Sequence, residues 1–397
     1  MVDLTPVARE MFSRLINLVK VLCDLDIAKH RVAQEGHFSA TIAERSVDYR
    51  VSYAPSVHGQ KLVIRVLDAA SSVYGFGLSR NELPYGSEHY IQTEEIFPDD
   101  AFNAAKQTDA IFLGAIGDPR LPVGLIEYGI IAKCRFELDL YINKRPIKLY
   151  DERLCPLKGK TCDDVDMVII RENTEDAYTG MHGFAHKGQP LEVATQTMVY
   201  TREGTERAIR YAFEIARERD KKKQVTLIDK ANAVRAQDIW TRVFAEVAEE
   251  YPDIKTDHAY IDAACMWMVK NPEWFDVAVT PNLCGDIITD LGAMVQGGMG
   301  VAASGNIHPG QTSLFEPIHG SAPKHAGKNA ASPVAAIMAV AMMLDYIGEK
   351  DAAVAIEGAV EGLLKSGEIS GLGTGAHGTD EVGDMVVNQL TGANASL

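Results

Sequence analysis

The chain has 397 residues, 46% hydrophobic and 24% charged, which is ordinary for a globular protein and long enough for two domains. Its formal net charge of −16 argues against nonspecific binding to nucleic acid or to an anionic membrane, both of which need a basic surface. A few arginines in a cleft can still set a local positive potential for an anionic small molecule.

Met11, Leu15, Leu18, Val19 and Leu22 recur near helical spacing and predict an amphipathic helix over the first 25 residues. VDYRVSY (47–53) and QKLVIRVLD (60–68) read as strands joined by a Pro-Ser-Val-His-Gly turn. From about residue 70 the texture becomes α/β. DAIFLGAIG (109–117), VDMVIIREN (165–173), KQVTLIDKAN (223–232) and FDVAVTPN (275–282) read as buried strands of a parallel sheet with polar residues at their C-terminal ends. Helices are predicted over 203–219, 285–296, 332–347 and 350–365. The six cysteines form no CxxC pair and read as reduced thiols of a cytoplasmic protein. No signal-peptide layout is seen, and no apolar run approaches the roughly 20 residues of a membrane span. Neither a G-x-G-x-x-G fingerprint after a strand nor a G-x-x-x-x-G-K-[ST] phosphate loop occurs.

Four groups of residues carry chemistry. Asp286 and Asp290, four apart, share one face of a predicted helix, and Asp262 ends the strand-like HAYID. Three carboxylates suit a hard cation such as Mg²⁺ or Mn²⁺, although the spacing alone fits a solvated helix face as well. Arg135, Arg145 and Arg171 read as strand-end arginines whose planar forks could grip a diacid, or as surface ion pairs. Lys230 ends a buried strand and is a candidate for a lowered pKa and general-base work, with Tyr178 as an acid. The alternative is a lysine paired with Asp229 or Glu172. In FEPIHGSAPKHAGKN (315–329), Gly320, Ser321 and Ala322 offer backbone N–H groups and Pro323 can start a helix, a weak signal for a phosphate or adenosine contact.

Taken in order, GAIGDP, RFELDLYINKRP, RENTEDAYTG, DKAN, NLCGDIITD and FEPIHGSAP resemble the isocitrate/isopropylmalate dehydrogenase family of β-decarboxylating dehydrogenases from about residue 66 onward. The resemblance implies that family's two-domain α/β fold, which is not a Rossmann fold, here with a small α+β N-terminal extension. The implied division is 1–68, then a cofactor-side domain of 69–139 with 298–397, and a substrate and dimerisation domain of 140–297. It implies oxidation and decarboxylation of a 2-hydroxy diacid, most similar to 3-isopropylmalate on the route to leucine, with tartrate, D-malate or isocitrate as alternatives. It implies Arg135, Arg145 and Arg171 as the carboxylate clamp, Tyr178 as acid and Lys230 as base. Asp262, Asp286 and Asp290 would hold Mg²⁺ or Mn²⁺. Asn232, Glu316, His319, Gly320, Ser321, Ala322, Pro323 and Lys324 would contact the nicotinamide cofactor. Lys230 and Asp262 reach into the site of a second subunit in this family, so a homodimer is implied. Leu125, Ile126, Ile130 and Ile131 offer an apolar wall for an alkyl substituent.

Two departures stand out. Lys324 occupies the place where NAD-using members carry an aspartate, so NAD is implied but NADP is admitted. The family's opening strand, GDGIGPE-like loop and helix are missing. Instead, residues 25–68 resemble type II secretion and type IV pilus ATPases just upstream of their phosphate loop. The chain reads as a fusion in which 60–68 could stand in for the missing strand, with a catalytically impaired or assembly role as the alternative to an active enzyme.

Overall fold

The computed structural model describes residues 66–373 and 375–392, together with the backbone of three earlier strands. The chain divides into two compact units, Met1–Asp68 and Ala69–Leu397. The amphipathic helix expected over the first 25 residues lies outside the described residues.

In the first unit, β1 (Gln34–Ile42), β2 (Arg45–Ser56) and β3 (Gly59–Leu62) form an antiparallel sheet in that order. Phe38 stands opposite Tyr49, and Tyr53 opposite Leu62. The strand expected over 60–68 is corrected here. β3 stops at Leu62, and Val66–Tyr74 is a helix with Asp68 in its first turn and Ala70 buried. Asp near a helix N-terminus and a run of alanine favour that outcome over extension of the strand. Among the described residues, none of this segment joins the eight-stranded sheet.

In the second unit, eight strands form one sheet in the order β10-β9-β11-β6-β5-β12-β13-β4. Their spans are β4 Ala110–Phe112, β5 Ile142–Lys148, β6 Asp166–Glu172, β9 Gln224–Asp229, β10 Lys255–Tyr260, β11 Val277–Thr280, β12 Ala303–Ile307 and β13 Ser313–Pro317. β6, β9, β10 and β11 are parallel, as their short β-branched runs suggest. The sheet as a whole is mixed, because β5 runs antiparallel to both β6 and β12, and β12 antiparallel to β13. The strand expected over 109–117 shrinks to Ala110–Phe112, and the chain turns further on at Gly117, whose φ is 109°. A separate hairpin, β7 (His182–Ala185) and β8 (Val193–Gln196), stands apart from this sheet.

The predicted helices form as Arg202–Arg219, Asn282–Val295, Val334–Tyr346 and Lys350–Ser366. Thr201 caps the first by accepting the Gly204 N–H at 3.0 Å, and Asp220 ends it in a left-handed conformation. Ile147 and Met167 from the sheet pack with Met268 and Ile288 from helices Ile261–Lys270 and Asn282–Val295. Each such side chain contributes about 1.5–3 kcal/mol on burial. This packing fixes the helix that carries Asp286 and Asp290 against the strands that carry Arg145 and Arg171.

Candidate active site

β5 and β6 are neighbours, and each brings an arginine to the same place. Arg171, next to last in β6, is 1% exposed. Its Nε donates to Asn282 Oδ1 at 2.8 Å, its guanidinium is hydrogen-bonded to Asp286, and it lies 5.2 Å from the Tyr178 ring centre. Arg145, in the middle of β5, donates from Nε to Asn143 Oδ1 at 2.7 Å and approaches Asp290 at 3.8 Å. Arg135 lies on a short helix, Lys133–Glu137, and not at a strand end as expected. It donates from Nε to Asn306 Oδ1 at 2.9 Å.

Two asparagines that sequence reading missed hold this cluster together. Asn306 Oδ1 accepts from Arg135, from Asn143 Nδ2 at 3.1 Å and from Asn173 Nδ2 at 3.0 Å. Asn143 and Asn306 are cross-strand partners on β5 and β12, a register that no local signal announces. Glu316 completes the network by accepting from Asn306 Nδ2 at 2.8 Å. Its place is therefore among the arginines' supports as well as beside the cofactor loop expected for it.

The electrostatics favour an anion. Burial, and after it the charges of Arg171 and Arg135, lower the Arg145 pKa to about 10. Arg135 is lowered by the same two effects, burial and the charge of Arg171. Two guanidinium groups lowered by burial and by a neighbouring positive charge favour an anionic ligand. Burial pushes Asp286 up, but Arg171, the Tyr178 hydroxyl and Arg145 outweigh it, so the carboxyl sits below its ordinary range and is ionised. Tyr178 donates to Asp286 Oδ2 at 2.8 Å. Burial and that bond raise its hydroxyl to about 12, so it keeps its proton at neutral pH.

Asp286 and Asp290 lie on helix Asn282–Val295 with both carboxylates accessible, and two hard oxygen donors of this kind fit a divalent cation. Asp262 is elsewhere. It lies in the first turn of helix Ile261–Lys270, not at a strand end, and accepts from Lys230 Nζ at 2.8 Å. That pairing differs from the Asp229 or Glu172 partners weighed for Lys230 from sequence. Among the described residues no three metal-ligating side chains gather at one point, so Asp286 and Asp290 could supply only part of a cation's ligand set.

In the loop expected to contact the cofactor, Ala322 adopts a left-handed φ of 47° and Pro323–His325 forms a helical turn, as the proline suggests. The Ser321 N–H bonds to the Ile116 carbonyl at 3.2 Å, so it is not the free donor expected, and its hydroxyl bonds to Gly117. His319 Nδ1 approaches the Gly320 carbonyl. The GAIGDP and HGSAP loops are thereby joined, with Lys324 exposed beside them, and backbone plus a cation suits a phosphate-bearing cofactor. Asn232 is exposed in the loop after β9. Of the apolar wall, Ile126 and Ile130 are core, while Leu125 and Ile131 remain partly exposed across a π turn, Tyr128–Ala132.

Residues 59–386 match the model of the isocitrate/isopropylmalate dehydrogenase family, and residues 2–85 match that of type II/IV secretion system proteins. The chain is 44% identical over 330 residues to the 3-isopropylmalate dehydrogenase of Thermobifida fusca, which covers 82% of this chain and 92% of that protein. It is 44% identical over 347 residues to the enzyme of the same name from Streptomyces griseus, covering 86% and 98%. The crystal structure of isocitrate dehydrogenase from Methylococcus capsulatus superposes with a TM-score of 0.73 at 35% identity, over 82% of this chain and 95% of that one. The ordered motifs, the gathered arginines and these likenesses agree: the chain belongs to the isocitrate/isopropylmalate dehydrogenase family.

Proposed function

We propose that the protein is a metal-dependent, nicotinamide-linked dehydrogenase that oxidises and decarboxylates 3-isopropylmalate. The observation that carries this reading is the gathering of Arg135, Arg145 and Arg171 beside Asp286 and Tyr178, with Arg135 and Arg145 lowered by burial and by a neighbouring positive charge. A dicarboxylate relieves the excess positive charge, and the three guanidinium planes fix its orientation. Asp286 and Asp290, with Asp262 of the partner subunit, would hold Mg²⁺ or Mn²⁺, which when bound polarises the oxygen on the carbon undergoing oxidation. The 319–324 loop would hold NAD, the hydride acceptor, and the Lys324 cation also admits NADP. Lys230 of the partner subunit takes the hydroxyl proton. Tyr178, protonated at neutral pH, donates a proton to the carbon that loses CO₂.

A homodimer is supported by apolar surface with no cover in the single chain. Phe184 and Leu191 on the β7–β8 hairpin are 53% and 75% exposed, and Met266 and Ile287 on the two adjoining helices are 66% and 56% exposed. The Lys230–Asp262 pair makes no hydrogen bond or ion pair with Asp286, Asp290 or Tyr178 among the described residues, as a site shared between two copies requires. The alkyl preference rests on Leu125 and Ile131 as the accessible part of the apolar wall, and on relatives that bear the name 3-isopropylmalate dehydrogenase. Among the described residues no helix is long and apolar enough to cross a membrane.

The test is a substrate panel of 3-isopropylmalate, isocitrate, D-malate and tartrate, each with NAD and NADP and with Mn²⁺. The highest kcat/KM belongs to 3-isopropylmalate. A preference for isocitrate overturns the substrate assignment.

A further inference from the structure

Behind the arginine cluster, on the other face of the sheet, lies a cavity of about 150 Å³. Strand geometry separates the two. Successive side chains alternate between faces, so Asn143, Arg145, Asn306 and Glu316 project to one side and Lys144, Ile307 and Phe315 to the other. Lys144, Gly305 and Phe315 stand in one row across β5, β12 and β13. Gly305 lets the Phe315 ring and Ile307 close over the middle of that row, since a Cβ added there would lie 3.1 Å from the Phe315 ring.

We propose that this cavity is a second small-molecule site, for a zwitterionic α-amino acid with an apolar side chain. Its walls come from helix Arg202–Arg219, helix Val334–Tyr346 and the three strands. Among the described residues, the Lys144 ammonium, the Tyr211 hydroxyl and the Asp345 carboxylate converge on it without any hydrogen bond or ion pair to another side chain. By contrast, the Tyr346 hydroxyl at the same cavity is satisfied, 2.6 Å from the Gln311 carbonyl. Burial lowers the Lys144 pKa, and the charges of Asp345 and Glu218 only partly offset it, so this cation is short of a partner. Two lysines, Lys144 and Lys350, face two carboxylates, Glu218 and Asp345, and the lining is neutral overall. A ligand with one net charge would leave one side unpaired, whereas a zwitterion pairs both. Its carboxylate meets Lys144 and Tyr211, its ammonium meets Asp345, and its alkyl chain lies on Ile215 and Met342.

The experiment is titration calorimetry on the full chain with L-norleucine, hexanoate and pentylamine as probes. L-norleucine binds saturably at one site per chain, and each single-charge probe binds at least tenfold more weakly. Lys144→Met and Asp345→Asn each weaken L-norleucine at least tenfold. Asp345 is exposed, so its variant keeps the fold. Arg135→Ala, on the opposite face, leaves binding unchanged, which separates this site from the substrate clamp. No saturable binding of L-norleucine, binding that survives both cavity variants, or equal binding of hexanoate overturns the proposal. None of these outcomes depends on turnover.

Discussion

Arg171 leaves an apolar strand with its side chain buried and little freedom to move. Gly285 is part of the reason. A Cβ added at Gly285 would fall 2.5 Å from Arg171 Cγ, so only glycine lets the arginine pass beside helix Asn282–Val295. Gly285→Ala therefore displaces the guanidinium that touches Asp286. The expected result is a KM for the diacid raised at least tenfold, with about 1–3 kcal/mol lost in stability from overpacking. An unchanged KM would show that Arg171 does not orient substrate. Glu172, the next residue, was not singled out in sequence except as a partner for Lys230. It is buried, and burial raises its carboxyl to about 7 from 4.5, although the N–H groups of Thr174 and Glu175 donate to it. A raised carboxyl is favoured in its protonated form by the fold. Its contribution is whole below about pH 4.5 and is lost as pH rises through 7, a change of about 3 kcal/mol. Denaturant unfolding of Glu172→Gln between pH 4.5 and 7.5 should show a flatter dependence than the parent chain. An identical curve would remove Glu172 as the source. Arg171 was legible because a charge ending an apolar run demands a reason for its burial, and Asp286 because Asp290 stands four residues on along one helix face. Asn143 and Asn306 were not, because asparagine is common in turns and their meeting depends on the register of β5 with β12.

At the scale of elements, the parallel strands β6, β9 and β11 and the long helices were legible from short β-branched runs and helical periodicity. β5 was not, because Asn143, Lys144, Arg145 and Pro146 interrupt its apolar pattern, yet one face of this strand joins the arginine cluster and the other lines the cavity. Helix Asn282–Val295 does two things at once. Its inner face packs Ile288 into the core, and its outer face exposes Ile287 and Met294. The β7–β8 hairpin exposes Met181, Phe184, Leu191 and Val193. These surfaces match what a second copy would cover. Glutamate at both Phe184 and Val193 should give a monomer by light scattering with turnover lost and secondary structure retained. A dimer of undiminished activity would move the interface elsewhere.

For the whole molecule, the anionic composition coexists with a local cluster of arginines, so the proposed affinity for a dianion would reside in local arrangement rather than net charge. The eight-stranded sheet ends at β4, three residues long, and β1, β2 and β3 form a sheet of their own. The sequence showed where the dehydrogenase likeness begins but not how residues 60–68 fold, since VIRVLD suits a strand and the following alanines suit a helix. An enzyme and an assembly factor carrying the same motifs differ in one observable. Incubate the full chain with 3-isopropylmalate, Mn²⁺ and NAD, and measure reduced cofactor and released CO₂ together. The account predicts equal amounts of both, none without Mn²⁺, and none from Lys230→Met folded as the parent. Reduced cofactor without CO₂, no turnover with either NAD or NADP, or activity surviving in Lys230→Met would contradict it.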